Sequence, residues 1–376
     1  MNEATAARPR GPLAPLPLTV LTGFLGAGKT TLLNRLLKDP ALADTAVLIN
    51  EFGEVGIDHL LVERVDGNVV QLSTGCLCCT VRGDLVDSLE KLLRDRDNGR
   101  IAFSRVMIET TGLADPAPVL HTIMLHPYLV MRFRLDGIVT VVDAVNGSAT
   151  LDTQPEAVKQ IAVADRLVLT KADLVDTPAR RAANHTLIAR MRGLNPAAPI
   201  LDAAAGEATA ERLLNCGLYD PARKIPDVRR WLAAEALVDA EHAHDHDANR
   251  HGDRIQAFTL TSDQAIAAPA FEMFLDLLRS VHGPNLLRVK GIVRIAESPD
   301  RPVVIHGVQH VFHPTAQLDA WPDDERRTRM VFIVRDVAPK TIRGLFDAFL
   351  GTPRVDQPDR AALIDNPLMP FGGADR

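Results

Sequence analysis

Gly23-Phe-Leu-Gly26-Ala-Gly28-Lys29-Thr30 carries the spacing G-x-x-x-x-G-K-[ST], between an apolar run and a helical pattern. Glycines let the backbone curl until successive N–H groups face one hollow, and the following helix adds partial positive charge at its N-terminus. Such a hollow suits nucleotide phosphates. Lys29 is placed to bridge the β- and γ-phosphates and the Thr30 hydroxyl to ligate Mg²⁺, with Thr31 beside it in the binding set. A Gly-rich turn joining strand to helix is the bland alternative.

Thr170-Lys171-Ala172-Asp173 closes a later apolar run. A carboxylate at Asp173 can accept from N1–H and the N2 amino group of guanine, whereas adenine has no donor there, so guanine is favoured. The usual first member of such a tetrad is Asn, and Thr170 lacks its second hydrogen-bonding arm. Asp173 could instead cap a turn. Val106-Met-Ile108 runs into Glu109-Thr-Thr-Gly112, where Glu109 is the candidate for the Mg²⁺ shell or the attacking water and Gly112 can approach the γ-phosphate. Asp143, ending another apolar run, reads as structural. The stretch from Asn50 and Glu51 to Asp58 and His59 has the glycines and acids of a loop that reorganises when the γ-phosphate leaves. Glu51 therefore joins Lys29 and Glu109 among the catalytic candidates.

Gly75-Cys76-Leu-Cys78-Cys79-Thr80 gathers three of the chain's 4 cysteines. That clustering excludes a disulfide framework and suggests a thiolate site. A turn at a helix N-terminus favours the thiolate, the form that binds metal. Tetrahedral zinc needs four ligands, so Cys76, Cys78 and Cys79 leave one to Glu51, His59, water or a partner. Soft thiolates favour Zn²⁺ or similar ions over Mg²⁺ and Ca²⁺. Redox-active thiols and inert buried cysteines are the competing readings, and Cys216 reads as a small hydrophobe. His242, His244, His246 and His251 form a second metal-capturing tract or a solvated linker. His306, His310 and His313 fall on one expected strand and read as core or surface residues.

These residues need a scaffold, and the pattern supplies one. Short apolar runs at 18–22, 46–50, 69–72, 105–109, 137–142, 166–170 and about 199–202 alternate with amphipathic helices at 30–37, 83–93, 117–125, 154–162 and 179–194. This is α/β: a P-loop NTPase arrangement, a mainly parallel sheet with helices on both faces. The expected organisation is a flexible tail at 1–15, a GTPase domain at 16–222, a His/Asp-rich linker at 223–253, a small α+β domain at 254–351 and a tail at 352–376. The small domain is expected to hold four strands and two helices.

The chain has 376 residues, 46% hydrophobic and 24% charged, which is globular and long enough for two folded units. Its net charge of −6, with 12 Phe, 2 Tyr and 2 Trp, gives no bulk basic charge and few stacking platforms, so no nucleic-acid partner is expected. No membrane partner is expected either, since no apolar run is long enough to span and no secretion signal is seen. The expected location is the cytoplasm.

Taken together, Gly23 to Asn34, the Asn50-Glu-Phe-Gly-Glu-Val-Gly-Ile-Asp58 stretch, the cysteine motif, Glu109-Thr-Thr-Gly-Leu-Ala-Asp-Pro116 and Thr170-Lys-Ala-Asp-Leu174 resemble the CobW-type metallochaperone GTPases. The resemblance implies GTP hydrolysis with Mg²⁺, zinc held by the three cysteines with Co²⁺ as another possible cargo, and delivery to a client metalloprotein. It also implies a C-terminal α+β domain after a linker often rich in histidine. A homodimer sharing a metal is compatible with three thiolates. The alternative is a zinc storage or sensing protein whose conformation the nucleotide sets.

Overall fold

The computed structural model describes residues 14–50, 71–74, 82–214, 255–312 and 315–351. Glu51, His59, Cys76, Cys78, Cys79, Cys216, His313 and the histidines from His242 to His251 lie outside the described residues.

Seven parallel strands form the first sheet: β1 (Leu16–Gly23), β2 (Thr45–Asn50), β3 (Gln71–Thr74), β4 (Arg105–Glu109), β5 (Phe133–Asp143), β6 (Arg166–Thr170) and β7 (Ile200–Asp202). Their order is β3-β2-β4-β1-β5-β6-β7, so the chain builds outward on both sides of β1. Ligands of such sheets bind at the carboxyl ends of the strands where the order reverses. The helices are α1 (Lys29–Leu37), α2 (Arg82–Asp97), α3 (Ala117–Leu125), α4 (Pro127–Arg132), α5 (Gly147–Thr153), α6 (Pro155–Val163), α7 (Pro178–Leu194) and α8 (Ala210–Leu213). β1 is apolar on both sides because both are covered: Leu18 and Val20 join Leu89 of α2 and Leu120 of α3, while Leu21 joins Leu33 and Leu36 of α1.

Three short helices, α4, α5 and α8, carry no clear apolar period in the sequence. Local chemistry starts two of them: Pro127 opens α4 while His126 accepts from Leu129 N at 3.4 Å, and Thr209 accepts from Arg212 N ahead of α8. β5 begins at Phe133, before the expected residue 137, because the polar residue within it is buried and paired. Asp136 takes Arg105 as its ion-pair partner and accepts from Thr19 Oγ1 at 3.1 Å.

A second sheet follows, antiparallel, in the order β11-β10-β9-β13-β8 with β12 on β10. Its strands are β8 (Ile255–Ser262), β9 (Leu286–Val293), β10 (Val303–Val308), β11 (Val311–Phe312), β12 (Ala316–Gln317) and β13 (Thr328–Arg335), with helices α9 (Ala268–His282) and α10 (Pro339–Phe349). The expected four strands are thus six. The run expected as one strand at 303–313 turns back on itself: Val308 pairs with Val311, and Gln309 adopts φ 53° in the turn. His306 is buried on β10, while His310 sits exposed in that turn. α9 and α10 cover one face, where Phe274 meets Phe346 edge-on at 5.2 Å. The opposite face packs on the first unit: Leu287, Val308 and Ile333 share a core with Ile123 of α3 and Val163 of α6.

Candidate phosphate and guanine site

The loop after β1 is shaped by its glycines. Gly23, Gly26 and Gly28 adopt φ 144°, 72° and 93°, where a side chain is strained. At Gly23 space forbids one as well, since a Cβ would lie 2.3 Å from Val141 O. Gly28 caps the N-terminus of α1, and the curled loop and helix end together make a cradle of the shape that suits phosphates. Lys29 is buried in it and donates to Gly23 O at 3.0 Å and Phe24 O at 3.3 Å. Thr31 is exposed on the first turn of α1.

Two strand ends then meet. Register pairs Leu21 of β1 with Glu109 of β4, which sets the buried Glu109 beside the start of α1. There Thr30 Oγ1 donates to Glu109 Oε1 at 2.8 Å. The following turn is tied to the same strand, with Thr110 N donating to Leu21 O at 2.9 Å and Thr110 Oγ1 to Thr22 Oγ1 at 2.8 Å. Gly112 lies directly under the cradle: a Cβ there would be 2.6 Å from Leu25 N.

On the other side of β1, β6 ends at Thr170, whose Oγ1 donates to Ala27 O at 2.6 Å and also lies 3.1 Å from Val142 O. The residue that departs from the usual Asn thus still ties the cradle to the sheet. Lys171 adopts φ 57° and donates from Nζ to Asp143 Oδ2 at 2.7 Å. Asp143 also accepts from Val145 N at 2.8 Å and from the Asn146 amide at 3.0 Å. Burial would raise its carboxyl, but the bonds from Lys171 and Asn146 hold it below the usual carboxylate range. Asp173 is exposed on the turn Ala172–Leu174, whose own cap is Lys171, so the capping alternative is not what forms. Phe24, Ala27, Val142, Asp143, Asn146 and Gln160 help to line a pocket of about 120 Å³ beside the cradle.

Beyond β4 the sheet continues through β2 to its edge strand β3. Ile49 of β2 pairs with Glu109, and Asn50 pairs with Thr74 of β3. Glu51 follows Asn50 directly and Cys76 follows Thr74 by two residues. The last residues of β2 and β3 are therefore side by side, at the same carboxyl edge as the cradle. β3 stands three strands from β1, about 14 Å at the usual strand spacing.

Residues 17–202 match the CobW/HypB/UreG nucleotide-binding domain, and residues 255–350 match the cobalamin synthesis protein cobW C-terminal domain. The chain belongs to the CobW family. This CobW-family chain is 32% identical over 333 residues to the zinc chaperone YjiA of Escherichia coli, covering 88% of the present chain and 98% of that one. It is 31% identical over 372 residues to the zinc chaperone CobW of Pseudomonas aeruginosa, covering 89% and 92%. With the zinc-regulated GTPase metalloprotein activator 1 of Schizosaccharomyces pombe it shares 33% over 284 residues, covering 71% and 67%. The crystal structure of Zn(II)-bound YjiA GTPase from E. coli is similar at a TM-score of 0.63 and 28% identity, over 90% of this chain and 99% of that one.

The motifs located the cradle and Glu109, but not what holds them. Asp143 was legible only as structural, because its partner Lys171 lies on a different strand end. Gln160, inside an ordinary amphipathic helix, gave no signal at all.

Proposed function

We propose that this protein is a GTP-hydrolysing metallochaperone that holds zinc through Cys76, Cys78 and Cys79 and passes it to a client metalloprotein in a GTP-dependent manner. The observation that carries the reading is the shared edge: the cradle after β1, Glu109 at the end of β4, and Asn50 and Thr74 at the ends of β2 and β3, one and two residues before Glu51 and Cys76 in sequence, all lie at one end of one sheet.

The nucleotide half follows from the cradle. Backbone N–H groups and Lys29 bind the phosphates, and Lys171 and Asp173 select guanine from the far side of β1. Thr30 and Glu109 fit a Mg²⁺ site, since a hydroxyl and a carboxylate oxygen already stand 2.8 Å apart where both can face one hard cation. Bound there, the ion would neutralise charge developing on the phosphates. Glu109 is fixed by Thr30 and by strand register, so it orients either the ion's shell or the attacking water. Lys29 holds the triphosphate in place while the bond breaks.

The metal half depends on coupling. Structural zinc sites hold the ion by about 10–16 kcal/mol, too tightly for useful spontaneous release. If the γ-phosphate orders the segment beginning at Glu51 against the cysteines, its loss can weaken the site by the roughly 1–3 kcal/mol typical of coupled sites. A client supplies the remainder. By reciprocity, zinc must change GTP affinity by the same factor.

Titration of Zn²⁺ against the full chain and against a C76S/C78S/C79S variant, each with GDP or a GTP analogue, tests both halves. The expected result is loss of tight zinc binding in the variant with GDP affinity retained. Identical GTP-analogue affinities of the wild type with and without Zn²⁺ would end the coupling.

A further inference from the structure

Helix α6 has the turn that follows Glu109 on one side and the C-terminal sheet at its end. From its middle, Gln160 Nε2 donates to Ala114 O at 2.9 Å and Gly112 O at 3.2 Å. Both acceptors are carbonyls, so the amide can face them only with its nitrogen, and this fixes its orientation. Gln160 is buried, and its main-chain carbonyl accepts from Thr140 Oγ1 of β5 at 2.7 Å, which fixes the helix it sits on. Next to it Lys159 reaches Asp115 at 3.4 Å. The turn held this way is the one whose Gly112 lies under Leu25 of the cradle with no room for a methyl group.

The end of α6 is gripped from two directions. Asn195, beyond α7, donates to Ile161 O at 2.8 Å and Ala164 O at 2.9 Å, occupying the helix's last carbonyls. Arg288 of β9 donates to Val163 O and to Asp165 Oδ1, and Lys290 donates to the same carboxylate oxygen at 2.6 Å. Asp165 Oδ2 accepts from Ile138 N of β5 at 2.9 Å. All three charged side chains are buried between the two units.

We propose that Gln160 is a positioning residue for GTP hydrolysis, and that through α6 the C-terminal sheet, by Arg288 on Val163 and Asp165, sets how firmly the Glu109–Gly112 turn is held against the phosphate cradle. The Gln160 amide nitrogen is engaged by the turn's carbonyls. It acts by restraining carbonyls of the turn that must meet the γ-phosphate, so its influence is confined to the triphosphate state. GDP, lacking that phosphate, does not engage the turn. The C-terminal domain thereby becomes part of the hydrolytic device, and a client docking on it has a route to the nucleotide. The inference rests on the GTPase reading given above.

The test uses the full chain with GTP turnover and separate affinities for GDP and a GTP analogue. Gln160→Met keeps the side chain's length and removes both donations. It is expected to lower kcat or GTP-analogue affinity about tenfold, the scale of one net hydrogen bond, while GDP affinity stays within twofold. Arg288→Met is expected to act in the same direction, and in the Q160M background to add much less than it does alone. Lys290→Met, which leaves Arg288 on the carboxylate, serves the same cycle if R288M fails to fold. Equal losses of GDP and GTP-analogue affinity in Q160M, or substitutions that combine with full additivity, overturn the proposal. A wild type that binds GDP but turns over no GTP sinks the GTPase reading and this inference with it; a wild type that hydrolyses GTP alongside an unaffected Q160M sinks the inference alone.

Discussion

Lys171 Nζ donates to Asp143 Oδ2 at 2.7 Å, joining the ends of β6 and β5 beside the nucleotide cradle. Lys171 stands in the left-handed region at φ 57°, a conformation with a steric cost for any residue with a Cβ. The ion pair and the three bonds from the 145–146 turn give that conformation its support.

Replacing Asp143 with Ala is therefore expected to weaken GDP binding about tenfold, with the loss carried by the guanine end. Inosine diphosphate, which lacks the N2 amino group, should lose less than GDP if Asp173 is displaced along with Lys171. The pair also has a pH signature. The Asp143 carboxyl is depressed by Lys171 and Asn146, so its contribution is complete above its ordinary value of 3.8 and fades only as pH falls below it. Isothermal titration with GDP should give no loss of this contact between pH 5 and 8.

Thr170→Val preserves shape but removes the hydroxyl that reaches Ala27 O and Val142 O. Leaving the loop carbonyl without that donor should cost about 1–2 kcal/mol, read as weaker GDP binding and a lower Tm. Thr170→Ser should restore most of it, since the donor returns and only a methyl group is lost.

Gly112→Ala forces a Cβ to 2.6 Å from Leu25 N and 2.7 Å from Leu25 Cα, both backbone atoms that cannot swing away. Either the turn or the cradle must move. A displacement of that order at a reacting centre is expected to cost about 100-fold in kcat, against about 1–3 kcal/mol in stability. Single-turnover GTP hydrolysis beside a thermal melt separates the two; unchanged hydrolysis would show that Gly112 does not face the reacting phosphate.

Asp165→Asn leaves Arg288 and Lys290 buried together without their counter-charge. Breaking a buried pair in this way typically costs about 3–5 kcal/mol, and here the loss falls on the contact between the two units. Differential scanning calorimetry should change from one transition to two. The wild type should follow the same course in acid. Burial would raise the Asp165 carboxyl, but Arg288 and then Lys290 hold it well below its ordinary 3.8, so stability is lost as pH drops beneath that value. Burial, with Arg288 next to it, pulls Lys290 down to about 8, against the opposing effect of Asp165. Proton release from Lys290 above that pH leaves Arg288 to hold the carboxylate.

Contacts made within a few residues, or demanded by one ligand, were legible in the chain itself. The phosphate spacing, the order of strands and helices around it, Glu109 at a strand end and the tetrad from Thr170 to Asp173 all follow from local periodicity and from what a nucleotide requires of its neighbours. The composition predicted two units, and the chain folds into two sheets. Tertiary structure alone decided which distant residues meet. A polar residue buried within a strand or just before one, such as Asp136 or Asp165, looks like a break in an apolar pattern until its partner arrives from another element. Gln309 turns an expected strand into a hairpin because the backbone there adopts a conformation that its residue type does not announce. The placement of Gln160 on the Gly112 turn depends on how α6 packs on the first sheet, and that of Arg288 on Asp165 on how the second sheet packs on α6; packing is a property of surfaces brought together across 48 residues of chain in the first case and 123 in the second. Pattern in a single sequence encodes the period of each element, not the face another element will present to it.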